Sequence, residues 1–337
     1  MRSISGTIPT GAQPRRPGIT PLVGNSAVLK KAIALAVMLV PLAGFVLAVR
    51  QLASGDWQPI DLGLFAAAYF VQMAGITIGF HRYLAHKTFR TSPVFEALLL
   101  IAGSMAAQGP VMFWVTTHRR HHSYSDQAGD PHSPHLFGTG WRARLKGLWF
   151  AHMPWMLAPD VSGWAFFAPD VLASRRLFFY HRSYLLWVAL GLALPALIGG
   201  MAAHSWAGAW NGFLFGGLAR IFLANQAAWC VGSISHMFGS KPFKTDDHSA
   251  NNWPVAFLTF GEGLQNNHHA FPGAYRHGIR WWEPDISGWL IGGFGKLRLV
   301  RHLRMPTEAA IARHRTTQAE VPDVAYAGSS AGGNGSA

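Results

Sequence analysis

Long apolar runs separated by short polar segments are the dominant pattern along this sequence. A helix needs roughly 20 apolar residues to cross the hydrocarbon core of a bilayer. Four runs approach that length, at about residues 32–49, 62–80, 184–203 and 209–227. Lys30 and Lys31 precede the first run and favour a cytosolic start. The pattern predicts an all-α integral membrane protein with four transmembrane helices in two hairpins, and both termini in the cytosol.

A further apolar run covers about residues 97–117. Gln108, Gly109 and Pro110 interrupt it, and proline disturbs a continuous helix. We expect this run to form an interfacial helix that does not cross the membrane. The polar segment after it then stays on the same side as the end of the second span.

The two ends of the chain are more polar than its middle. Residues 1–27 contain several prolines and little hydrophobicity, which is typical of disorder. The sequence predicts a disordered N-terminal segment over residues 1–27, a membrane domain over residues 28–305, and a largely disordered tail over residues 306–337.

Composition agrees with a membrane protein, since 50% of the residues are hydrophobic and only 13% are charged. Lys and Arg number 28 against 15 Asp and Glu, and they flank the apolar runs. That placement favours membrane lipids and a substrate with an acidic headgroup as partners, and not nucleic acid. The single cysteine, Cys230, excludes an intrachain disulfide and a cysteine-held iron–sulfur cluster.

Candidate chemistry lies in histidine clusters that follow the apolar runs. His118, His121 and His122 sit at i, i+3 and i+4, so on a helix their rings leave within one turn of each other. A basic run lying against lipid headgroups is the alternative interpretation of this segment. Imidazole is a good ligand for iron, zinc, copper and nickel, and the segment is a candidate metal site.

Three other groups of histidines support the metal interpretation: His81 with His86, His268 with His269, and His236 alone. On an α-helix, His81 and His86 diverge by roughly 140°, which suits two metals or a helix end better than one mononuclear site. Extending the fourth apolar run as a helix carries His236 toward the same layer. Eight imidazoles are too many for a single ion, so we expect two metals.

The remaining polar residues are predicted to have ordinary roles. His132 and His135 lie among turn residues, which favours a loop position or support of a ligand over ligation. His277 has no neighbour at ligand spacing, and His248, beside Asp246 and Asp247, is expected to be solvated and not to bind a substrate group. Nitrogen ligands at a membrane face, without a His-Glu-x-x-His zinc peptidase motif, favour oxygen chemistry by iron on an apolar substrate.

Three motifs resemble, in order and spacing, the histidine boxes of integral-membrane fatty acid desaturases: His81-Arg-Tyr-Leu-Ala-His86, His118-Arg-Arg-His121-His122 and Gly261-Glu-Gly-x-x-Asn-x-His268-His269-x-Phe-Pro. The resemblance covers about residues 28–305 and is closest to the acyl-CoA delta-9 (stearoyl-CoA desaturase) branch and its bacterial relatives. It implies a cytosolic helical cap holding a non-haem di-iron centre, in a bacterial inner membrane. The implied iron ligands are His81, His86, His118, His121, His122, His236, His268 and His269.

The resemblance implies an enzyme that uses O2 and two external electrons to place a cis double bond, at delta-9, in a long-chain acyl thioester or lipid. The acyl carrier is CoA, acyl-carrier protein or a phospholipid. No fused cytochrome b5 segment is visible, so a separate ferredoxin, rubredoxin or cytochrome b5 with its reductase supplies electrons. Asp130 and His132 resemble a segment near the substrate entrance. Arg142, Arg144 and Lys146 could meet a substrate phosphate, on the basis of charge.

Two positions depart from the family pattern. Gln265 stands where close relatives have the first histidine of the third box, and Gly232 where they have an asparagine that holds a water ligand. An amide oxygen is a poorer iron ligand than imidazole. These departures leave open a non-enzymatic membrane protein that binds metal or acts as a scaffold. A di-iron hydroxylase of a lipid or alkane is the other alternative, because hydroxylation and desaturation share the first hydrogen abstraction.

Overall fold

The computed structural model describes residues 16–315. The disorder predicted for residues 1–15 and 316–337 lies outside the described residues. The chain is mostly helical, which confirms the predicted fold class. In chain order the α-helices are α1 (Gly24–Ser54), α2 (Pro59–Ala74), α3 (Pro93–Ser104), α4 (Val111–Tyr124), α5 (Trp141–His152), α6 (Trp164–Phe167), α7 (Pro169–Leu172), α8 (Arg175–Arg182), α9 (Tyr184–Ala203), α10 (Trp206–Gly212), α11 (Arg220–Ser233), α12 (Trp253–Leu258), α13 (Gln265–Ala270), α14 (Ile286–Lys296) and α15 (Glu308–His314).

Four helical stretches are long and apolar enough to cross a membrane: Gly24–Ser54, Pro59–Ala85, Tyr184–Ala203 and Trp206–His236. The second and fourth are composite. A π-helix, Gly75–Ala85, continues α2, and a second π-helix, Phe213–Ala219, joins α10 to α11. A short 3-10 turn, Ile234–His236, ends the fourth stretch. Both composite helices extend past the apolar runs and carry histidines beyond them.

The two hairpins meet at the end of the bundle away from the histidines. Buried Asp61 caps the start of α2, and its carboxylate accepts a hydrogen bond from Asn211 Nδ2 at 3.1 Å. The same amide donates to the carbonyl of Asp56 at 3.0 Å. These bonds join the loop of the first hairpin to α10 in the second, and they fix the relative position of the two hairpins.

Arg220 lies inside the bundle and is almost fully buried. Its guanidinium donates to Gln72 Oε1 at 2.6 Å, to the carbonyl of Met105 at 2.8 Å and to the carbonyl of Gly191 at 2.7 Å. Buried cations need such partners because an unpaired charge in a low-dielectric interior is costly. Arg220 therefore connects α2, the α3–α4 connection, α9 and α11.

The predicted interfacial helix over residues 97–117 is wrong as one element, because the structure divides it into α3 and α4. The break contains Ala107 and Gly109, both with positive φ, and Pro110, which precedes the first residue of α4. Neither helix reaches the length needed to cross the bilayer. The break allows α4 to turn toward the histidines, and α4 continues seven residues beyond the predicted end, to Tyr124.

The predicted disorder up to residue 27 is also wrong for the described part of that segment. Strand β1 (Ile19–Pro21) pairs antiparallel with β3 (Asp160–Ser162), and α1 begins at Gly24. A second short pair joins β2 (Arg90–Thr91) to β4 (Val300–Arg301). Near the other end, α15 occupies part of the predicted tail. Backbone hydrogen bonding, which hydrophobicity does not reveal, orders these segments.

Candidate metal centre

The first pair of histidines lies at the end of the π-helix Gly75–Ala85. The backbone N–H of His86 donates to the carbonyl of His81 at 3.1 Å, an i to i+5 bond. In a π-helix residues five apart lie about one turn apart, so both rings point the same way. Of the two alternatives drawn from α-helical spacing, two metals is wrong, whereas a helix end is confirmed, because His86 directly follows the last residue of the π-helix. Both rings enter one cluster.

The second group lies on α4 and divides between two clusters. His118 and His122, four residues apart, join His81 and His86. His121 points to the neighbouring cluster. One helical turn thus supplies histidines to both clusters, so the two clusters lie side by side.

The third group lies on the short helix α13 and divides in the same manner. His268 joins the cluster of His81 and His86, whereas Gln265 and His269, four residues apart, face the other cluster with His236. The structure therefore brings all eight predicted histidine ligands together.

We call the first cluster site one; it contains His81, His86, His118, His122 and His268. His81 Nε2 lies 3.1 Å from His268 Nε2, and His122 Nε2 lies 2.9 Å from the same atom. His86 Nε2 and His118 Nε2 are 2.7 Å apart. Nitrogens about 2.1 Å from one ion, and at right angles to each other, are about 3.0 Å apart. The donor atoms of site one therefore have the spacing of adjacent metal ligands.

We call the second cluster site two; it contains His121, His236 and His269, with Gln265 beside them. His121 Nε2 and His269 Nε2 are 3.4 Å apart. The Gln265 amide nitrogen lies 3.0 Å from His269 Nε2 and 3.4 Å from His236 Nε2, and Gln265 Oε1 is buried without a hydrogen-bond partner among the described residues. The two amide atoms exchange by a simple flip, which turns the oxygen toward the ring nitrogens. Gln265 then completes a four-donor set.

Carboxylates accept hydrogen bonds from the Nδ1 atoms of the site-two histidines. Asp130 accepts from His121 Nδ1 and Asp126 from His236 Nδ1, both at 2.9 Å, and Asp247 accepts from His269 Nδ1. In site one, Glu262 contacts His81 Nδ1 in the same way. Such partners fix the tautomer, so the Nε2 lone pair faces the metal position.

These carboxylates were not predicted as supports of ligands. No role was predicted for Asp247, which accepts a hydrogen bond from His269, whereas His248 beside it is exposed, as predicted. Asp130 was predicted to contact substrate, but its buried carboxylate is occupied by His121 and by the backbone N–H groups of Asp126 and His132. The sequence does contain a clue. Each of the four carboxylates lies on a histidine box, on the loop that follows one, or on a segment that packs against one.

The charges of the cluster favour metal binding. Burial, reinforced by neighbouring imidazoles, holds the pKa values of His118, His122 and His268 well below the usual range. Burial also lowers the pKa of His269 to about 4, although Asp247 opposes that shift. Burial opposes ionisation of Asp247 too, but its hydrogen bonds from His269 and Ser249 outweigh this and lower its pKa. At these four histidines the neutral imidazole, backed at His269 by an ionised carboxylate, is the form that binds metal.

His277 is a residue that the spacing argument missed. It is fully buried, and its ring lies 4.5 Å from that of His268 and 5.4 Å from that of His81, centroid to centroid. Buried Arg82 contacts its Nδ1 at 3.3 Å and forms ion pairs with Glu262 and Asp285. His277 and Arg82 form an outer layer around site one, assembled from segments that are far apart in sequence.

A cavity of about 480 Å³ borders both clusters. His81, His118 and His121 line its inner wall, and its other walls are mostly apolar, including Leu29, Ile33 and Met73. α1 contributes several of these apolar residues. The volume and the mostly apolar lining of the cavity suit a long apolar chain beside both clusters.

Comparison with known proteins agrees with this geometry. The family model described as "Fatty acid desaturase" matches residues 56–294. The chain belongs to the fatty acid desaturase family. Relatives in this family are oxidoreductases that act on fatty acyl chains.

Among its desaturase relatives, this chain is 41% identical over 277 residues to a hex-5-enoyl-[acyl-carrier protein] acetylenase of Moorena producens, covering 81% of this chain and 85% of the relative. It is 36% identical to an sn-1 stearoyl-lipid 9-desaturase of Synechocystis, covering 71% and 70%. It is 35% identical to an acyl-CoA C20 delta5-desaturase of Anemone leveillei, covering 69% and 70%. These relatives carry their acyl chains on three different carriers.

One departure of this desaturase from its family pattern has a structural counterpart. A Cβ atom at Gly232 would lie 2.9 Å from His132 Nδ1, so the His132 ring occupies the space of a side chain at position 232. That ring stacks on His121, 4.5 Å between centroids, and lines the cavity. His132 therefore packs against a site-two histidine; its predicted roles, support of a ligand or contact with substrate, stay predictions.

The predicted phosphate-binding cations lie on the surface of the desaturase, outside the metal centre. Arg142, Arg144 and Lys146 are exposed on α5. Ala151, at the end of the same helix, lines the cavity. A role for these cations in substrate binding stays a prediction.

Proposed function

We propose that this chain is an acyl desaturase that introduces a cis double bond, at delta-9, into a long-chain acyl thioester or lipid. The observation that carries the proposal is the pair of histidine clusters, side by side along the wall of a mostly apolar cavity. The delta-9 position is supported by the stearoyl-lipid 9-desaturases of Synechocystis and Anabaena variabilis, 36% and 34% identical to this chain.

The donor sets fit two iron ions. The five imidazoles of site one would hold one ion, and His121, His236, His269 and Gln265 would hold the other. Nitrogen ligands with few oxygens suit iron well. When bound, the two irons supply the oxidant that removes two hydrogens from adjacent carbons. Overall, one O2 molecule, the two hydrogens from the substrate, two external electrons and two protons give two water molecules.

The protein holds the acyl chain in place and keeps water away from the reacting carbons. The apolar walls of the cavity hold an extended acyl chain and exclude water from the reacting carbons. Asp130, Asp126 and Asp247 keep the site-two imidazoles in one orientation. Because His81, His118 and His121 line the cavity, the bound chain passes both metal positions.

Fatty acid analysis of a host that expresses the chain tests the proposal. With iron and a reductant system present, we expect a new monounsaturated acid with its double bond at carbon nine. His268→Ala, which removes a central site-one donor, abolishes that product while the protein still inserts into the membrane. A hydroxylated acid in place of the alkene would identify a hydroxylase. The absence of both products would support a metal-binding or scaffold protein.

A second candidate function is acetylenase activity, which removes two hydrogens from an existing double bond. It is favoured by the 41% identity to the Moorena enzyme. An alkenoyl-carrier protein offered beside a saturated acyl thioester separates the two activities. We expect the saturated substrate to be converted faster; the opposite preference would favour the acetylenase.

The four apolar helices are compatible with a membrane protein. We further propose that the chain lies in a bacterial inner membrane with its metal centre in the cytosol, where acyl carriers and soluble electron donors are present. Exposed Arg142, Arg144 and Lys146 are then placed to meet the phosphate of CoA, acyl-carrier protein or a phospholipid.

A further inference from the structure

Arg119 directly follows the site-one histidine His118 on α4. A guanidinium has no lone pair to offer a metal, but it carries five N–H donors in a rigid planar fork. Arg119 Nε donates to the carbonyl of Ala85 at 3.0 Å, and Nη2 donates to the carbonyl of Leu84 at 2.8 Å. These carbonyls belong to the last two residues of the π-helix Gly75–Ala85. Arg119 therefore connects α4 to the end of the helix that carries the first pair of histidines.

The end of this π-helix needs outside donors, because the last carbonyls of a helix have no partner within it. The chain itself serves the earlier ones. The backbone N–H groups of the two residues after His86 donate to the carbonyls of Tyr83 and Arg82, at 3.1 and 2.9 Å. Within the described chain no backbone N–H serves the last two carbonyls in this way. Arg119 supplies the missing donors.

This contact lies next to two donors of site one. His86 directly follows Ala85, and His86 Nε2 lies 2.7 Å from His118 Nε2. The backbone of Arg119 continues from one of these histidines, and its guanidinium holds the carbonyl just before the other. The contact thus sets the distance between the π-helix and α4 where both give histidines to site one. Site two takes no histidine from the π-helix, so it does not depend on this contact.

The remaining donors of Arg119 hold its guanidinium in one orientation. Nη1 donates to the carbonyl of Phe167 at 3.1 Å and to Asp170 Oδ1 at 2.6 Å, and Nη2 donates to Asp170 Oδ2 at 3.1 Å. Two parallel bonds to one carboxylate fix the plane of the guanidinium. Arg119 makes five hydrogen bonds in total, as many as the group has donors. A lysine could not replace it, because an ammonium is a single point with three donors.

We propose that Arg119 is a positioning residue of site one, which holds the end of the π-helix against α4 and so keeps His86 and His118 on the same metal. The proposal rests on the proposed function, which requires both metal sites, but it concerns metal binding and not the reaction. Partners that position metal ligands typically change metal affinity ten- to hundredfold. Loss of the guanidinium therefore weakens metal binding at site one by about tenfold or more and leaves site two unchanged.

Equilibrium dialysis of the full-length protein in detergent against Co²⁺, after its own metal has been removed with a chelator, tests the proposal. The test variant is Arg119→Lys, which keeps the charge and loses the planar fork. The matched control is Arg182→Lys, the same change at an exposed arginine of α8. We expect the unmodified and control proteins to bind two ions per chain with equal affinities. In Arg119→Lys, one of the two ions binds about tenfold or more weakly.

Two further backgrounds identify the site of the weakened ion. In His236→Ala, which removes a donor of site two, we expect Arg119→Lys to weaken the ion that is still tightly bound. In His268→Ala, which removes a donor of site one, Arg119→Lys has no further effect on the remaining ion. Because the two sites are compared within one protein, the difference between backgrounds separates positioning of site one from a general effect on folding.

Equal weakening in both backgrounds would overturn the positioning role, because a residue that only stabilised the fold would affect both sites alike. Unchanged binding in Arg119→Lys would overturn it as well, and the proposed function would still stand. If Arg119→Lys does not fold, Asp170→Asn, which loosens the guanidinium without removing it, takes its place under the same criteria. An unmodified protein that binds no metal at either site would overturn the proposed function itself, and the positioning role with it.

Discussion

At the scale of single residues, site two is the unusual half of the metal centre. It has three histidines where site one has five, and both departures from the family pattern, Gln265 and Gly232, are next to it. Gln265 Oε1 is buried and lacks a protein partner within the described chain. A buried polar atom without a partner is costly unless a metal or water satisfies it. A metal bound at site two would satisfy this oxygen, which supports the proposal that Gln265 is a ligand.

Gln265→His replaces the weakest donor of site two with an imidazole. We expect the variant to retain more iron after dialysis and to keep or exceed the original activity, because imidazole is the better iron ligand. Metal analysis and product formation measure the two effects. Loss of iron would mean that residue 265 does not face the metal.

Asp247→Asn tests the carboxylate behind His269. An amide in place of the carboxylate holds the ring less firmly and makes its Nε2 less basic. We expect metal affinity to fall by about tenfold or more. The neighbouring residue provides the control, since Asp246 is exposed and Asp246→Asn should leave affinity unchanged. Equal affinities in both variants would exclude a supporting role for Asp247.

At the scale of secondary structure, the π-helix Gly75–Ala85 decides how the histidines divide. It turns His81 and His86 into one cluster, whereas α-helical geometry would separate them. The helix also packs very closely on α3. A Cβ atom at Gly75 would lie 2.2 Å from the backbone nitrogen of Gly103. The close contact holds the π-helix in place from one side.

Gly75→Ala should therefore disturb both the packing and the metal site. Forcing a methyl group into this contact costs about 1–3 kcal/mol and displaces α3 or the π-helix. We expect a lower midpoint of thermal unfolding and less iron bound. Gly63→Ala is the matched control in α2, because a Cβ there meets nothing within 4 Å. If both variants behave alike, the contact with α3 does not support the site.

At the scale of the whole molecule, the two hairpins place the metal centre at one end of the bundle. The second and fourth spans both end in histidine ligands, at His81 to His86 and at His236. The hairpin connections near Asp56 and His204 lie at the other end. A bilayer around the four spans would therefore separate these connections from the metal centre.

Thiol labelling in membrane vesicles tests this arrangement. In a Cys230→Ala background, Asp56→Cys and Asp246→Cys each place one exposed cysteine, at opposite ends of the bundle. We expect a membrane-impermeant reagent to label them from opposite sides, with Asp246→Cys reached from the cytosol. Labelling of both from one side would contradict the four-span topology.

The sequence by itself determined the apolar spans and the hairpin order, because span length is a local property of the chain, and its three histidine motifs supplied the eight candidate ligands through their resemblance to the family. Only the tertiary structure decided how those histidines divide into five and three. It also decided which carboxylates hold them, and that His132 fills the space above Gly232. These features depend on a π-turn and on contacts between residues as far apart as His81 and His268. Local hydrophobicity and spacing do not encode such contacts, because packing of the whole bundle brings them about.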